Sequence, residues 1–165
     1  MKIDDLRHLP PLCFPYADLK LAKEQDGNLR VYDILREKYV VLTPEEFVRQ
    51  NFVSWLINYL GYPKSLMANE VELKFNELKR RCDTVVMNRE FMPLLIVEYK
   101  APNIEITQST FDQIVGYNRH LKAKYLVVSN GRQNFCCVMD YKRNTYNFVR
   151  KIPDYKDAIG MPSIN

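Results

Sequence analysis

Several signals that would assign this chain of 165 residues to a common class are missing. It has no C-x-x-C pair, and its two histidines, His8 and His120, do not cluster with its four cysteines, which argues against a zinc site. The N-terminal sequence MKIDDLRHLPPL has no apolar core, so we expect no secretory signal peptide. No apolar run approaches the roughly 20 residues of a membrane-spanning helix. These absences predict a soluble protein of a reducing cytoplasm, without a membrane partner.

Internal repeats and low-complexity segments are also absent. Hydrophobic residues make up 47% of the chain and charged residues 27%, a balance that supports a packed core and argues against a disordered or collagen-like chain. The length matches one ordinary domain, so we expect residues 1–165 to form a single domain. An ATP-driven motor would not fit beside an active domain in this length.

The net charge of +4 is unevenly distributed. Residues 1–100 hold 15 basic and 15 acidic groups, whereas residues 101–165 hold nine basic and five acidic groups. A field concentrated in one region can steer a polyanion, although the same residues also suit an ordinary solvated surface. The candidate DNA contacts are Lys122, Lys124, Arg132, Lys142, Arg143, Arg150 and Lys151.

The first part of the chain is predicted to hold an arm, a hairpin and a helix. Residues 1–18 are rich in proline and are expected to be extended. Two short strands flank the turn signal Asp26-Gly27, and a third strand or a lead-in follows. Thr43 and Glu46 have the spacing of a capping box, so a helix should begin there and end at Gly61.

The rest of the chain alternates between strand and helix patterns. The predicted elements are strands at 71–75, 82–87 and 94–100, a turn at 76–81, a hairpin loop at 88–93, a helix at 109–122, strands at 125–129, 135–141 and 146–150, and an irregular tail at 153–165. The strand at 94–100 is apolar on both faces, so it should be central. This order predicts an α/β sandwich, in which a mixed sheet is flanked by helices.

Charged residues end this apolar strand. Glu98 and Lys100 share one strand face, whereas Tyr99 points to the other, and Asp83 opens the preceding strand. Burial of charge there is costly without a metal ion or an opposite charge. Two carboxylates, with the backbone carbonyl of Tyr99, could hold Mg²⁺ through oxygen, and Lys100 could stabilise charge on a scissile phosphate. A plain Glu–Lys pair at a strand end is the alternative.

The two predicted helices offer further candidates. Glu45 lies on the face of the first helix that carries the buried apolar residues, so it is the candidate for a third acid. Favourable charge at a helix N-terminus would also explain an acid at this position. Whether Glu45 or Glu46 is that acid stays open. Gln113 and Tyr117 are four residues apart and share one face of the second helix, where they could brace an acidic site or form an ordinary polar face.

Together these residues carry a family resemblance. Asp83 and the Glu98-Tyr99-Lys100 run resemble the PD-(D/E)xK nuclease superfamily. Six blocks in order resemble the N-terminal nuclease domain of type I restriction enzyme R subunits: T-P-E-E-F-V-R-Q at 43–50, L-G-Y-P at 60–63, R-C-D at 81–83, V-E-Y-K-A-P at 97–102, D-Q-I-V-G-Y-N at 112–118 and Y-L-V-V-S-N-G at 125–131. The resemblance covers about residues 40–140.

The resemblance implies a restriction-endonuclease-like fold and a Mg²⁺-dependent endonuclease, in which Mn²⁺ may substitute. Asp83 and Glu98 would be metal ligands, Lys100 the catalytic lysine and Glu45 the helix-borne acid. The implied partners are DNA, a separate motor or specificity protein, and a second copy of the chain.

Two features depart from the family. Tyr99 stands where a small residue is usual, and the family's R subunits continue into an ATP-driven translocase that we do not expect in these 165 residues. Gln113 and Tyr117 match the Q-x-x-x-Y element of the RecB-like branch, where it supports the site. The alternative functions are a non-catalytic module that binds nucleic acid or a partner on the same fold, and a structural protein in which E-x-K is accidental.

Overall fold

The computed structural model describes residues 1–75 and 78–160, with the side chains of 73–75, 78–80 and Tyr117 left aside. Two sheets and four α-helices form the described part. The predicted α/β class is confirmed, because a mixed six-stranded sheet carries helices on its faces.

A small antiparallel sheet follows the N-terminal arm. Its strands lie in the order β1 (Leu21–Lys23), β2 (Leu29–Asp33) and β3 (Lys38–Val41), so the predicted hairpin and third strand are confirmed. The arm itself is not simply extended, because it contains a short helix, α1 (Ile3–Arg7). Farther along the arm, the buried ring of Phe14 stacks on Trp55 at a centroid distance of 5.3 Å, so the arm packs on the core.

Helix α2 (Pro44–Asn58) begins at the predicted N-cap. The Thr43 hydroxyl accepts a hydrogen bond from the Glu46 amide at 3.0 Å. The other half of the predicted capping box does not form, because the Glu46 carboxylate binds arginine side chains instead. Tyr59 is the C-cap of α2 and is 63% exposed. Gly61 then adopts a left-handed φ of +70°, which suits the predicted helix stop.

The large sheet has the order β4-β5-β6-β7-β8-β9. Its strands are β4 (Met67–Phe75), β5 (Leu78–Met87), β6 (Pro93–Tyr99), β7 (Tyr125–Ser129), β8 (Asn134–Asp140) and β9 (Thr145–Val149). The β6–β7 pair is parallel and the other pairs are antiparallel. Strand β6 is therefore internal, as predicted, and because β6 and β7 are parallel, their carboxyl ends lie at the same end of the sheet.

Several boundaries differ from the sequence prediction: β4 begins at Met67 rather than at residue 71, and α2 ends at Asn58, before Gly61. The predicted turn at 76–81 is shorter, since 78–81 belong to β5, and residues 76–77 lie outside the described residues. The predicted irregular tail contains helix α4 (Tyr155–Gly160), while residues 161–165 lie outside the described part. Helix α4 is held to the turn that follows α2, because the Tyr155 amide donates to the Leu60 carbonyl at 2.8 Å.

Each face of the large sheet is covered by a helix. Helix α2 packs on the face that carries Val97 and Tyr99, and helix α3 (Gln108–Leu121) packs on the face that carries Ile96. In the ranges 1–75 and 78–160, no helix is both long and apolar enough to cross a membrane. The two helical layers leave the carboxyl end of β6 between the start of α2 and the start of α3.

Candidate functional site

Charged side chains from three strands and one helix meet at the carboxyl end of β6. We call this group the acidic edge: Glu45, Glu70, Asp83 and Glu98, with the cations Arg49 and Lys100. Thr84 pairs with Val97 in the β5–β6 register, so Asp83 and Glu98 occupy neighbouring places at the ends of that pairing.

Asp83, Glu98 and Lys100 are directly linked. The Tyr99 amide donates to Asp83 Oδ2 at 2.8 Å, which places the Asp83 carboxylate beside the residue that follows Glu98. Lys100 Nζ donates to Glu98 Oε1 at 3.0 Å. The side chains of Asp83 and Glu98 retain 15% and 12% of their exposure, so both carboxylates are largely buried but still reach solvent.

Arg49, which sequence reasoning missed, lies at the centre of the acidic edge. Its side chain is only 4% exposed. Nη1 lies 2.6 Å from Glu46 Oε2 and 2.6 Å from Glu70 Oε1. Nη2 lies 2.9 Å from Asp83 Oδ1 and 3.7 Å from Glu45 Oε1. One guanidinium group therefore neutralises charge that would otherwise repel across the site.

Glu45 and Glu46 have different surroundings. Glu46 is buried and accepts from Arg36 at 2.8 Å and from Gln50 at 2.8 Å, besides its pair with Arg49. The Glu45 side chain is 43% exposed and its nearest ion-pair partner is Arg49. The buried, fully paired Glu46 therefore suits a structural role, whereas Glu45 suits an acid on the open side of the acidic edge.

Glu70 is a second residue that the sequence did not reveal. It lies between the β4–β5 pairs Asn69–Thr84 and Val71–Cys82, next to Asp83 across the strands. Its φ is +58°, in the left-handed region that non-glycine residues rarely adopt. Its carboxylate also pairs with Arg81. Such strain is held only where neighbouring contacts over-determine it, as the pairs to Arg49 and Arg81 do here.

Hydrogen bonds connect the small sheet to the acidic edge. Asp33, fully buried at the end of β2, accepts from Asn69 at 2.9 Å and pairs with Arg36. Asn69 in turn accepts from the Thr84 hydroxyl at 2.6 Å. Since Arg36 also binds Glu46, the N-terminal sheet braces both α2 and β4.

Burial and mutual repulsion raise the pKa values of three carboxylates. Burial raises the pKa of Glu98 to about 7, and the negative charge of Asp83 adds to the effect. Burial and the charge of Asp83 likewise raise the pKa of Glu45. Burial also raises the pKa of Asp83, against the opposing influence of Arg49. A cluster that resists ionisation in this way favours any added cation.

The donor chemistry suits a hard divalent cation, although the side-chain arrangement shown is not that of a formed metal site. In the described part of the chain, no three His, Cys, Asp or Glu side chains are grouped so that they could hold a metal ion. Here Arg49 and the Tyr99 amide engage both oxygens of Asp83, and Lys100 engages Glu98. Oxygen donors on neighbouring strands, with raised pKa values, nevertheless fit Mg²⁺ or Mn²⁺.

The two predicted supporting residues, Gln113 and Tyr117, are on α3. Gln113 is exposed, and no contact among the described residues joins it to the acidic edge. The side chain of Tyr117 lies outside the described part.

The seven predicted DNA contacts are divided between the two ends of the large sheet. Arg132 follows β7 at the end that holds the acidic edge, and Arg150 and Lys151 follow β9 toward the same end. The other four lie at the opposite end, where Arg143 is within 3.9 Å of Asp140: Lys122, Lys124, Lys142 and Arg143. The structure therefore does not bring the seven together on one surface.

Comparison with known proteins assigns this arrangement to a family. One solved structure with the same fold is a fragment assigned to an HsdR subunit of a type I restriction enzyme from Vibrio vulnificus YJ016, at a TM-score of 0.52 and 16% identity. The match covers 72% of this chain but only 25% of that one. No curated protein matches the chain. The family model for the type I restriction enzyme R protein N terminus matches residues 44–153, from the start of α2 to just before α4, and the chain therefore belongs to that family.

Proposed function

We propose that the chain is a Mg²⁺-dependent endonuclease domain of the PD-(D/E)xK type that hydrolyses DNA phosphodiester bonds. The observation that supports it most is the meeting of Asp83, Glu98 and Lys100 at one sheet end, with the Tyr99 amide bound to Asp83. Family membership supports a nuclease-like domain and DNA as its partner.

Asp83 and Glu98 would hold the cation, with the Tyr99 backbone carbonyl as a further oxygen donor and Glu45 as the nearby helix-borne acid. A bound divalent cation would polarise the scissile phosphate and lower the pKa of a water. Asp83 Oδ1 is paired with Arg49, so we expect the distance between these two side chains to increase when Asp83 binds a cation.

Lys100 would act on the phosphate itself. Its Nζ is 3.0 Å from Glu98 and its side chain keeps 25% of its exposure, so it can reach a ligand at the edge. Burial lowers the pKa of Lys100, but the hydrogen bond and charge of Glu98 outweigh burial and raise it overall. Lys100 therefore stays cationic and can stabilise charge that develops on phosphate oxygens.

Of the basic candidates, Arg132 has the best position to guide DNA to the acidic edge. Arg132 is exposed and lies three residues after Ser129, the last residue of β7. The Lys100 amide donates to the Ser129 carbonyl at 2.9 Å, so this end of β7 is next to the acidic edge. Phosphate contacts of this kind fix the register of the duplex without reading its sequence.

The test is nicking of supercoiled plasmid with 5 mM Mg²⁺ or Mn²⁺ (roughly the range in which weak sites fill). Wild type should nick, whereas Asp83→Asn and Lys100→Ala should lose at least about 100-fold in rate, the scale of a lost transition-state contact. Lys23→Ala, an exposed lysine on the small sheet, is the matched control and should cut like wild type. Equal nicking by wild type and Lys100→Ala would rule out this catalytic assignment.

A second candidate, a non-catalytic DNA-binding module, draws on one observation. Arg49 and the Tyr99 amide already satisfy both oxygens of Asp83 without a metal. This function predicts tight DNA binding in EDTA that weakens steeply with salt, and no nicking. A gel shift in EDTA, run beside the plasmid assay, separates the two functions.

A further inference from the structure

A cleft lies at the end of the large sheet opposite the acidic edge. It has a volume of about 700 Å³ and is formed by the β5–β6 hairpin, the start of β6 and the ends of α3, β8 and α4. Leu94 lines it, four residues before Glu98 on β6, so the two sites are separated by roughly 13 Å of extended strand. We call it the distal cleft.

The charge of the distal cleft is one-sided. Among the residues that the structure describes, the cations Arg89, Lys122, Lys124 and Lys142 line it, against one acid, Glu90. Lys124 Nζ donates to the Ala158 carbonyl at 2.9 Å, which fixes one cation at the wall beside α4. Among the described lining residues, four cations and one anion give a local charge of +3. A ligand of negative charge is therefore favoured.

The floor of the distal cleft is mostly aliphatic. Met92, Leu94, Met139 and Ile159 line it, and Met92 and Ile159 are 59% and 42% exposed. Tyr141 is the one aromatic residue among the described lining residues, and its hydroxyl is held by the Ala123 carbonyl at 2.5 Å. Aliphatic surface of this kind suits an aliphatic side chain from another protein.

The hairpin beside the cleft presents a further apolar side chain. Phe91 is 74% exposed and has a φ of +57°, although bulky residues avoid the left-handed region. The turn is nevertheless well ordered by Asn88, whose Oδ1 accepts from the Glu90 and Met92 amides at 3.0 and 2.9 Å. An ordered turn that holds Phe91 in water is a preformed contact surface rather than a loose loop.

We propose that the distal cleft binds an acidic segment of a partner protein, with an aliphatic side chain of that segment seated on the floor and its carboxylates paired with the surrounding cations. Single-stranded nucleic acid fits the cleft less well, because it needs several aromatic side chains on which successive bases stack, and the described lining residues include one aromatic, Tyr141. The proposal is independent of nuclease activity, since the acidic edge contributes no residue to the cleft.

The experiment begins with selection from a displayed library of random 12-residue peptides on the wild-type chain in EDTA. Peptides that also bind the double variant R89E/K142E are removed. Arg89 and Lys142 are both exposed, so this variant should keep its fold. We expect enrichment of Leu, Ile or Met flanked by Asp or Glu. No enrichment, or enrichment without acidic residues, overturns the proposal.

The best peptide is then synthesised and its site mapped by NMR of the isotope-labelled chain. We expect shifts at Leu94, Met139 and Ile159, a Kd at least fivefold weaker for Lys142→Glu, and less than twofold change for Lys151→Glu, an exposed lysine at the other end of the sheet. Shifts elsewhere, or equal effects of the two substitutions, contradict it. Displacement of the peptide by a lower concentration of oligo-dT would instead assign the cleft to nucleic acid.

Discussion

Replacement of Arg49 by methionine should strongly destabilise the chain, because Arg49 is the buried cation that joins helix α2 to strands β4 and β5. The side chain is 4% exposed and lies within 2.9 Å of Asp83 and 2.6 Å of both Glu46 and Glu70. Its guanidinium also lies over the Tyr99 ring, 5.6 Å from the centroid. Methionine approximates the length of the stem but leaves the surrounding carboxylates without that charge.

The magnitude follows from competing terms. Each charge pair at about 4 Å contributes on the order of 4 kcal/mol at an effective dielectric constant near 20. Desolvation of the buried ions offsets much of this, at several kcal/mol per ion. Removal of one partner from a buried pair still costs about 3–5 kcal/mol, because the remaining carboxylates stay buried and unpaired. For a chain of this size, that loss corresponds to a decrease in Tm on the order of 10 °C.

Urea unfolding followed by circular dichroism, at pH 7.5 in EDTA, measures this free energy. Arg30→Met is the matched control, since Arg30 pairs with Glu24 at the surface, where both side chains are about 40% exposed. A surface pair contributes only about 0–1 kcal/mol. If Arg49→Met and Arg30→Met lost the same small amount of stability, the central role given to Arg49 would be wrong.

Three further predictions concern protonation, metal binding and the arm. The pKa of Glu98 is raised to about 7 from an ordinary 4.5, so the folded state binds this proton more tightly, and stability present below pH 4.5 is lost as pH rises through 7. In EDTA, Glu98→Gln should therefore be about 3 kcal/mol more stable than wild type at pH 8 and equal to it at pH 4.5, and a pH-independent difference in urea unfolding would contradict this. Mn²⁺ at about 100 times its Kd should raise the unfolding free energy of wild type by about 2.7 kcal/mol and leave Asp83→Asn unchanged in a thermal-shift assay; equal stabilisation of both would show that the ion binds elsewhere. Phe14→Ala should cost about 3–5 kcal/mol in urea unfolding, since the ring is buried against Phe52 and Trp55, whereas the control Tyr16→Ala, 60% exposed, should cost little; equal losses would mean that the arm does not pack as described.

Local sequence signals predicted most of the sheet and both long helices. Strand β7 has the predicted bounds, and β6 is internal because apolar residues on both faces require cover on both sides. The arm and tail were harder to predict, because their order comes from distant contacts. Phe14 is fixed by α2, and helix α4 by the Leu60 carbonyl, and neither contact leaves a periodic pattern in the chain.

Part of the site could also be predicted from local sequence signals. Asp83, Glu98 and Lys100 could be associated from strand alternation and a short hairpin alone. Arg49 follows Glu45 by four residues and Glu46 by three, so helical spacing did carry a signal for its pairs on α2. Glu70 carried none, because its place depends on a left-handed φ inside a strand, which no local pattern indicates.

The most direct test of the proposed nuclease site is anomalous diffraction from crystals soaked in Mn²⁺. We expect one ion in contact with Asp83 and Glu98 at roughly 2.0–2.5 Å from the carboxylate oxygens, with the Asp83–Arg49 pair lengthened from its present 2.9 Å. At saturating Mn²⁺, the absence of an ion at these two carboxylates, or an ion bound only elsewhere, would show that Asp83 and Glu98 do not form the metal site.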